Sequence, residues 1–308
     1  MPRPAGPGPR GVLNLRRGEG NFRHARHLPA TELRPFVDCY WMVRWDLRGQ
    51  PPQLAETLPH PCVYWVTQLG RSAINGVGTG RFTRLLEGKG RVFGVRFRPG
   101  GFRPFLGTSV SAITDDSLPL QAAFGEAGRE VEQALTDLDA AAATANEPDG
   151  GEPCADDLAD ERMMDLTDRF LLERLPPRDP RLDTVSAIVT AIASTPEITR
   201  VEDVAARFGY TVRSLQRLFS EFVGVSPKWV IKRYRLHEAV ERMDAGQPVQ
   251  WSRLALELGY FDQTHFIKEF RTFIGRSPGE YVKGLPVAAS GRAGRSAKSP
   301  RPGPRRGP

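Results

Sequence analysis

The sequence predicts an α+β chain in which an antiparallel β-rich domain with flanking helices precedes an all-α domain. Three observations predict it. Short β-branched and aromatic runs, separated by turns rich in Pro and Gly, fill residues 33 to 101. Helical periodicity replaces them after Pro119. Near the C-terminus a stretch of about 27 residues occurs twice, a duplication that chance rarely produces.

Length and charge limit the options. A chain of 308 residues has room for two domains of ordinary size. Its formal net charge of +7 is unevenly spread: residues 1–28 carry six Arg against one Glu, and residues 286–308 carry six Lys or Arg and no acid. The balance is −7 over residues 29–180 and +3 over residues 181–285. A small excess in the repeat-bearing half is compatible with a polyanion partner, but the motif has to carry that argument. Cys39, Cys62 and Cys154 fall in no CxxC spacing, so a reduced, cytoplasmic protein is expected. The opening MPRPAGPGPRG has no apolar h-region, and no uncharged run approaches the ~20 residues of a membrane span. Neither export nor membrane insertion is expected.

Residues 1–28 are rich in Pro, Gly and Arg without periodicity, a composition expected to stay disordered. Residues 29–145 are expected to form a β-rich sensor or dimerisation domain, cupin- or barrel-like, ending in a helix. Its entry is LRPFVDCYWMVRWDL from Leu33, and further strands are expected at CVYWVTQL, around Ala73 and Ile74, at RFTRLLEG and at RVFGVRFRPGGF. Trp41, Trp45 and Trp65 fall within this region and are read as core, with the lining of a pocket for an apolar or aromatic ligand as the alternative. Val131, Leu135 and Leu138 at i, i+4 and i+7 mark the helix. Residues 146–180 are expected to supply a linker, NEPDGGEPCADD, and an amphipathic helix stopped by PPRDP. These two helices either cap the β domain or pair with a second subunit. A basic tail is expected over 286–308.

Within 181–285 the first helix is marked by Val185, Ile188, Val189 and Ile192. The duplicated stretch follows, VEDVAARFGYTVRSLQRLFSEFVGVSP from Val201 and WSRLALELGYFDQTHFIKEFRTFIGRSP from Trp251. Gly209 and Gly259 are 50 positions apart, but Phe219 and Phe270 are 51 apart, so one residue is gained between turn and second helix. Each copy reads as a helix-turn-helix. Ala205 and Ala255 permit a close crossing, the two glycines end the first helices in left-handed conformation, and Thr211 and Asp262 are expected N-caps. Leu215, Leu218, Phe219 and Phe222 form one buried face; Phe266, Phe270 and Phe273 form the other. The long segment PKWVIKRYRLHEAVERM joins the units.

Opposite those buried faces stand Arg213, Gln216 and Arg217 in the first copy and Gln263, Thr264, His265 and Lys268 in the second. Arg matches guanine O6 and N7, Gln matches adenine N6 and N7, and an α-helix fits the major groove. These seven are the expected base contacts. Thr211, Lys232, Arg233 and Arg271 are the expected contacts to the DNA backbone.

The run LQRLFSEFVGVSPKWVIKRYRLHEAVERM, with LALELGYFDQTHFIKEFRTFIGRSPGEY after it, resembles the DNA-binding domain of AraC-family transcriptional regulators. It spans roughly residues 182–284. The resemblance implies a seven-helix domain that places two helix-turn-helix units in successive major grooves, with the positions of Arg213, Gln216, Arg217, Thr264, His265 and Lys268 facing the bases. Trp229 departs from the family at a position that is usually polar, and His265 adds a titratable group. Through CYWMV, GVRFRPGGFRPFLG and DDSLPL the N-terminal half resembles the uncharacterised β-rich domain often fused to such units. Double-stranded DNA is the expected partner. A small effector on the N-terminal domain, RNA polymerase and a second copy of the chain are the further candidates.

Other functions fit less well. His60 is the only histidine in residues 29–180, so no metal centre, cofactor or catalytic residue is expected there. GTGRFTRLLEGKG has glycines without phosphate-loop spacing. An architectural DNA binder held by its basic tails is the alternative, although phosphate contacts alone would not call for Gln216.

Overall fold

The computed structural model describes residues 12–13, 22–68, 70–144, 155–246 and 249–285. The expected basic tail at 286–308 and the segment NEPDGGEPC lie outside them. Two antiparallel sheets build the N-terminal half. The larger has six strands in the order β2 (Phe22–His27), β3 (Val37–Leu47), β8 (Gly88–Phe97), β5 (Tyr64–Gln68), β6 (Arg71–Asn75) and β9 (Ser117–Pro119). The smaller is β1 (Val12–Leu13), β4 (Gln53–Thr57) and β7 (Phe82–Leu86). Leu47 pairs with Gly88 and Gln53 with Leu86, so β3–β4 and β7–β8 form one long ribbon whose end folds over the larger sheet. Ala55 and Leu86 of that ribbon pack with Val43, Trp45 and Val92 of the larger sheet; within that sheet Gly94 and Gly90 stand opposite Trp41 and Trp45, and a Cβ on either would fall 2.2 Å from the indole ring it faces.

The other face of the larger sheet buries Tyr40, Met42, Trp65, Ile74, Phe93 and Val95. Helices α2 (Leu120–Phe124), α3 (Glu126–Thr144) and α4 (Ala155–Leu172) cover it. Phe170 meets Trp65 edge to face at 5.7 Å, and Asp168 accepts hydrogen bonds from the Tyr40 hydroxyl at 2.5 Å and the Ala30 amide. Of the two expected roles for these helices, this structure shows the cap.

Four strands have no counterpart in the sequence reading, Val12–Leu13, Phe22–His27, Gln53–Thr57 and Ser117–Pro119. Composition predicts no ordered structure over residues 1–28, yet Phe22–His27 is an edge strand in register with β3 from Trp45 to Tyr40. Ladder hydrogen bonds run between backbones, so a partner strand can order a segment whose own composition would not. The strand Gln53–Thr57, sequence QLAET, is likewise specified by its partners more than by its residues.

The helical half comprises α5 (Pro180–Ser194), α6 (Val201–Phe208), α7 (Val212–Phe222), α8 (Pro227–Asp244), α9 (Trp251–Glu257), α10 (Gln263–Ile274) and α11 (Pro278–Lys283). A short helix α1 (Arg103–Leu106) and a 3-10 turn, Val110–Ile113, connect the sheet to it. One apolar core runs from Tyr40, Phe97 and Phe102 into Val185, Ile188, Leu215 and Phe222, while Leu58 joins the separate core of the second unit with Leu254, Phe266 and Phe270. The halves are therefore packed together, with no break in apolar contact at residue 180.

Candidate nucleic-acid interface

In the first unit Gly209 ends α6 at φ 70°, a left-handed conformation that glycine adopts without a Cβ penalty. Two residues later Thr211 caps α7: its hydroxyl oxygen accepts from the Ser214 amide at 3.1 Å, and the Thr211 amide donates to Ser214 Oγ at 3.0 Å. Leu215, Leu218, Phe219 and Phe222 are buried. Arg213, Gln216 and Arg217 are exposed on the opposite side, and neither arginine enters an ion pair among the described residues. The buried face rests on the β-rich half. Thr114 Oγ1 donates to the Gly224 carbonyl at 2.7 Å, and Ser109 Oγ donates to the Ser220 carbonyl at 3.0 Å.

The second unit repeats the design. Leu254 and Ala255 are buried on α9, Gly259 has φ 79°, and Asp262 caps α10 by accepting from the His265 amide at 2.7 Å. Phe266, Phe270 and Ile274 are buried, with Phe273 half-buried. Gln263, Thr264, His265, Lys268 and Arg271 are exposed.

Helix α8 fixes the distance between the units. Ser226 caps it by accepting from the Trp229 amide at 3.2 Å. Arg235, 2% exposed, donates to the carbonyls of Ile192 and Thr195 and pairs with Glu238 at 2.7 Å. Lys232 pairs with Glu269 of α10, whose other carboxylate oxygen accepts from the Tyr260 hydroxyl at 3.3 Å.

The expected backbone contacts therefore divide. Arg271 is exposed; Lys232 reaches Glu269; the Thr211 hydroxyl is engaged in its own cap. Arg233 is corrected. It is 1% exposed, donates to the Thr79 carbonyl at 3.0 Å, and lies between the rings of Trp229 and Phe273 at 4.4 and 4.5 Å. Burial lowers its pKa to about 10. In this arrangement its guanidinium is walled off from any phosphate.

Other groups that matter left no local signal in the sequence. Glu56, 4% exposed on β4, pairs with Arg81 and, at 2.6 Å, with Arg276 beyond the end of α10. His60 stacks on His237 of α8 with centroids 4.4 Å apart and planes 12° from parallel. Both pairs join the β-rich half to the helical half, and each unites residues far apart in the chain. Cys39 and Cys62 are buried and unbridged; burial pushes the Cys62 thiol up to about 12 and raises Cys39, which suppresses the reactive thiolate. Among the described residues no three His, Cys, Asp or Glu side chains are placed to hold a metal ion, and no helix is long and apolar enough to cross a membrane.

Comparison with known proteins follows the same division. Residues 204–284 match the sequence profile of a helix-turn-helix domain, and residues 25–119 match that of a domain of unknown function, DUF6597. The HTH-type transcriptional activator AarP of Providencia stuartii is 33% identical over 81 residues, which cover 26% of this chain and 59% of AarP. The putative HTH-type transcriptional regulator YkgA of Escherichia coli is 35% identical over 83 residues, covering 26% of this chain and 34% of YkgA. The chain thus spans 59% and 34% of the length of these two curated relatives. A solved structure of ToxT from Vibrio cholerae aligns over 86% of this chain and 99% of its own, with 12% identity and a TM-score of 0.38.

Proposed function

We propose that this chain, in which residues 204–284 match a helix-turn-helix profile, is a transcriptional regulator of the AraC type that reads two successive major-groove segments of double-stranded DNA. One observation carries the reading. Two capped helices, α7 and α10, each bury an aromatic face and expose a polar one, and α8 joins them, with Ile231 in the core under α7, Leu236 and Val240 in the core under α10, and Lys232 paired with Glu269 of α10. On that reading Arg213, Gln216 and Arg217 face bases in one segment, and Gln263, Thr264, His265 and Lys268 in the next, ~34 Å along the duplex. Lys232, Arg271 and the Thr211 region lie nearest the phosphates. Arg233 is assigned instead to the joint between the halves.

The β-rich half is the control element in this proposal. It touches the second unit through Glu56 and Arg276 and the connecting helix through Thr79 and Arg233, so a change in its shape reaches the reading helices directly. A small effector would sit on the sheet face where the half-buried rings of Trp41 and Tyr64 meet edge to face at 6.5 Å. There Trp41 Nε1 is buried without a hydrogen-bond partner among the described residues. A second copy of the chain and RNA polymerase are proposed as partners on the resemblance alone.

Selection of bound DNA from a random pool, using the full-length chain, tests the proposal. Enrichment of a site with two specified segments about one helical turn apart is the expected outcome. A bound pool with no enriched sequence would remove it.

A further inference from the structure

The two units differ by one residue, and the structure shows which. From Gly209 to the cap Thr211 the chain advances two positions; from Gly259 to the cap Asp262 it advances three. With the Gly-Tyr pairs aligned, the residue gained is Phe261. It is 87% exposed, the most exposed large apolar side chain among the described residues, whereas the preceding Tyr260 packs edge to face on Phe266 at 5.3 Å. A turn could accept a small polar residue here. A phenyl ring held in water instead forgoes the stabilisation that its burial would yield. Folding of the free protein gives no reason for it.

Its position indicates what it meets. Phe261 directly precedes the cap of α10, whose first residues Gln263, Thr264 and His265 are all exposed. In helix-turn-helix docking the N-terminal residues of the second helix touch base edges, while the first helix crosses the backbone. Docked in that way, the ring would stand beside the exposed first residues of α10, at the rim of the groove. Among base edges in the major groove the apolar feature is the thymine C5-methyl, and Phe is one of the side chains that reads it.

We infer that Phe261 is a specificity-determining residue of the second unit, packing on a thymine methyl at the edge of the segment that α10 reads. The inference rests on the DNA-reading function proposed above and adds a base preference to it. Leu256, 65% exposed on α9, lies on the preceding helix and is not assigned to this contact.

The test uses the full chain and a site selected from the random pool. Each thymine in the segment protected by the second unit is replaced in turn by deoxyuridine, which lacks only the methyl group. Wild-type protein should lose about 4-fold in affinity at one of these positions, the value of one buried methyl-sized group. Phe261→Ala should lose a similar factor on the thymine site and nothing further on the uracil site, with an unchanged circular dichroism spectrum. Losses that multiply, or a Phe261→Ala protein that binds the thymine site like wild type, overturn the inference while the DNA-reading function stands. Were wild-type protein to select no sequence at all, both would fall together.

Discussion

Gly259 lies against Thr199 so closely that a Cβ placed on it would fall 2.5 Å from the Thr199 Cβ. Thr199 is in the connection leading into the first unit, and Gly259 is the turn of the second. The contact presses one unit on the other and makes the two turn glycines unequal, because a Cβ on Gly209 would meet nothing within 4 Å.

Gly209→Ala should therefore cost only the left-handed backbone penalty, about 1–2 kcal/mol. Gly259→Ala should cost that plus an overpacking penalty of roughly 1–3 kcal/mol. Urea denaturation of both variants measures the difference, and equal losses would mean that the two units do not press together as described.

Alanine at Arg213 or Arg217 should cost about 1–3 kcal/mol of binding and relax the preference at one base pair. Both side chains are exposed, so stability should hold. The check is a titration of each variant against the selected site and its single-base-pair substitutions. A uniform loss on every sequence would reassign the residue to the phosphates.

Lys268 and Arg233 should separate cleanly in salt. Lys268→Ala should reduce the slope of log affinity against log salt by up to about 1, whether its ammonium faces bases or the adjoining phosphates. Arg233→Ala should leave the slope alone and destabilise the fold by roughly 2 kcal/mol, since the buried guanidinium loses the Thr79 carbonyl and its two aromatic faces. A reduced slope with unchanged stability for Arg233→Ala would contradict its assignment to the joint.

The arginines show where sequence reasoning reaches and where it stops. Glycine at the turns, Thr211 and Asp262 at the caps, and the apolar stripe of α7 are local signals, and each appears in the structure where its spacing predicts, while on α10 Ile274 is buried where Phe273 is expected and Phe273 is half-buried. Arg233 follows Lys232 on a helix and reads as solvated charge. Its burial depends on Thr79, 154 positions away, and no local pattern records that. The strands Phe22–His27 and Gln53–Thr57 were missed for the same reason, because their order comes from the strands beside them. The extra residue of the second turn was visible as a change in spacing; that it places a phenyl ring in solvent was visible only in three dimensions.

Asp160 ties stability to pH. Arg44 and Arg91 are shared among Asp139, Asp156, Asp157 and Asp160, and burial, reinforced by the neighbouring carboxylates, pushes Asp160 up to about 6 from 3.8. A carboxyl with a raised folded-state pKa binds its proton more tightly in the folded chain, so its contribution favours folding at low pH and is lost as pH rises through 6. Relative to Asp160→Asn, the wild type should lose roughly 2 kcal/mol between pH 4 and pH 6.5. Urea midpoints of both proteins across that range give the comparison, and a pH-independent difference would place the Asp160 pKa at its ordinary value.

Footprinting of the full-length chain on its selected site tests the central claim most directly. Two protected major-groove segments centred ~34 Å apart on one face of the duplex are predicted, with Arg217→Ala weakening protection of one and Lys268→Ala of the other. A single protected segment, or continuous protection independent of sequence and unaffected by both substitutions, would contradict the reading of α7 and α10 as a paired recognition surface.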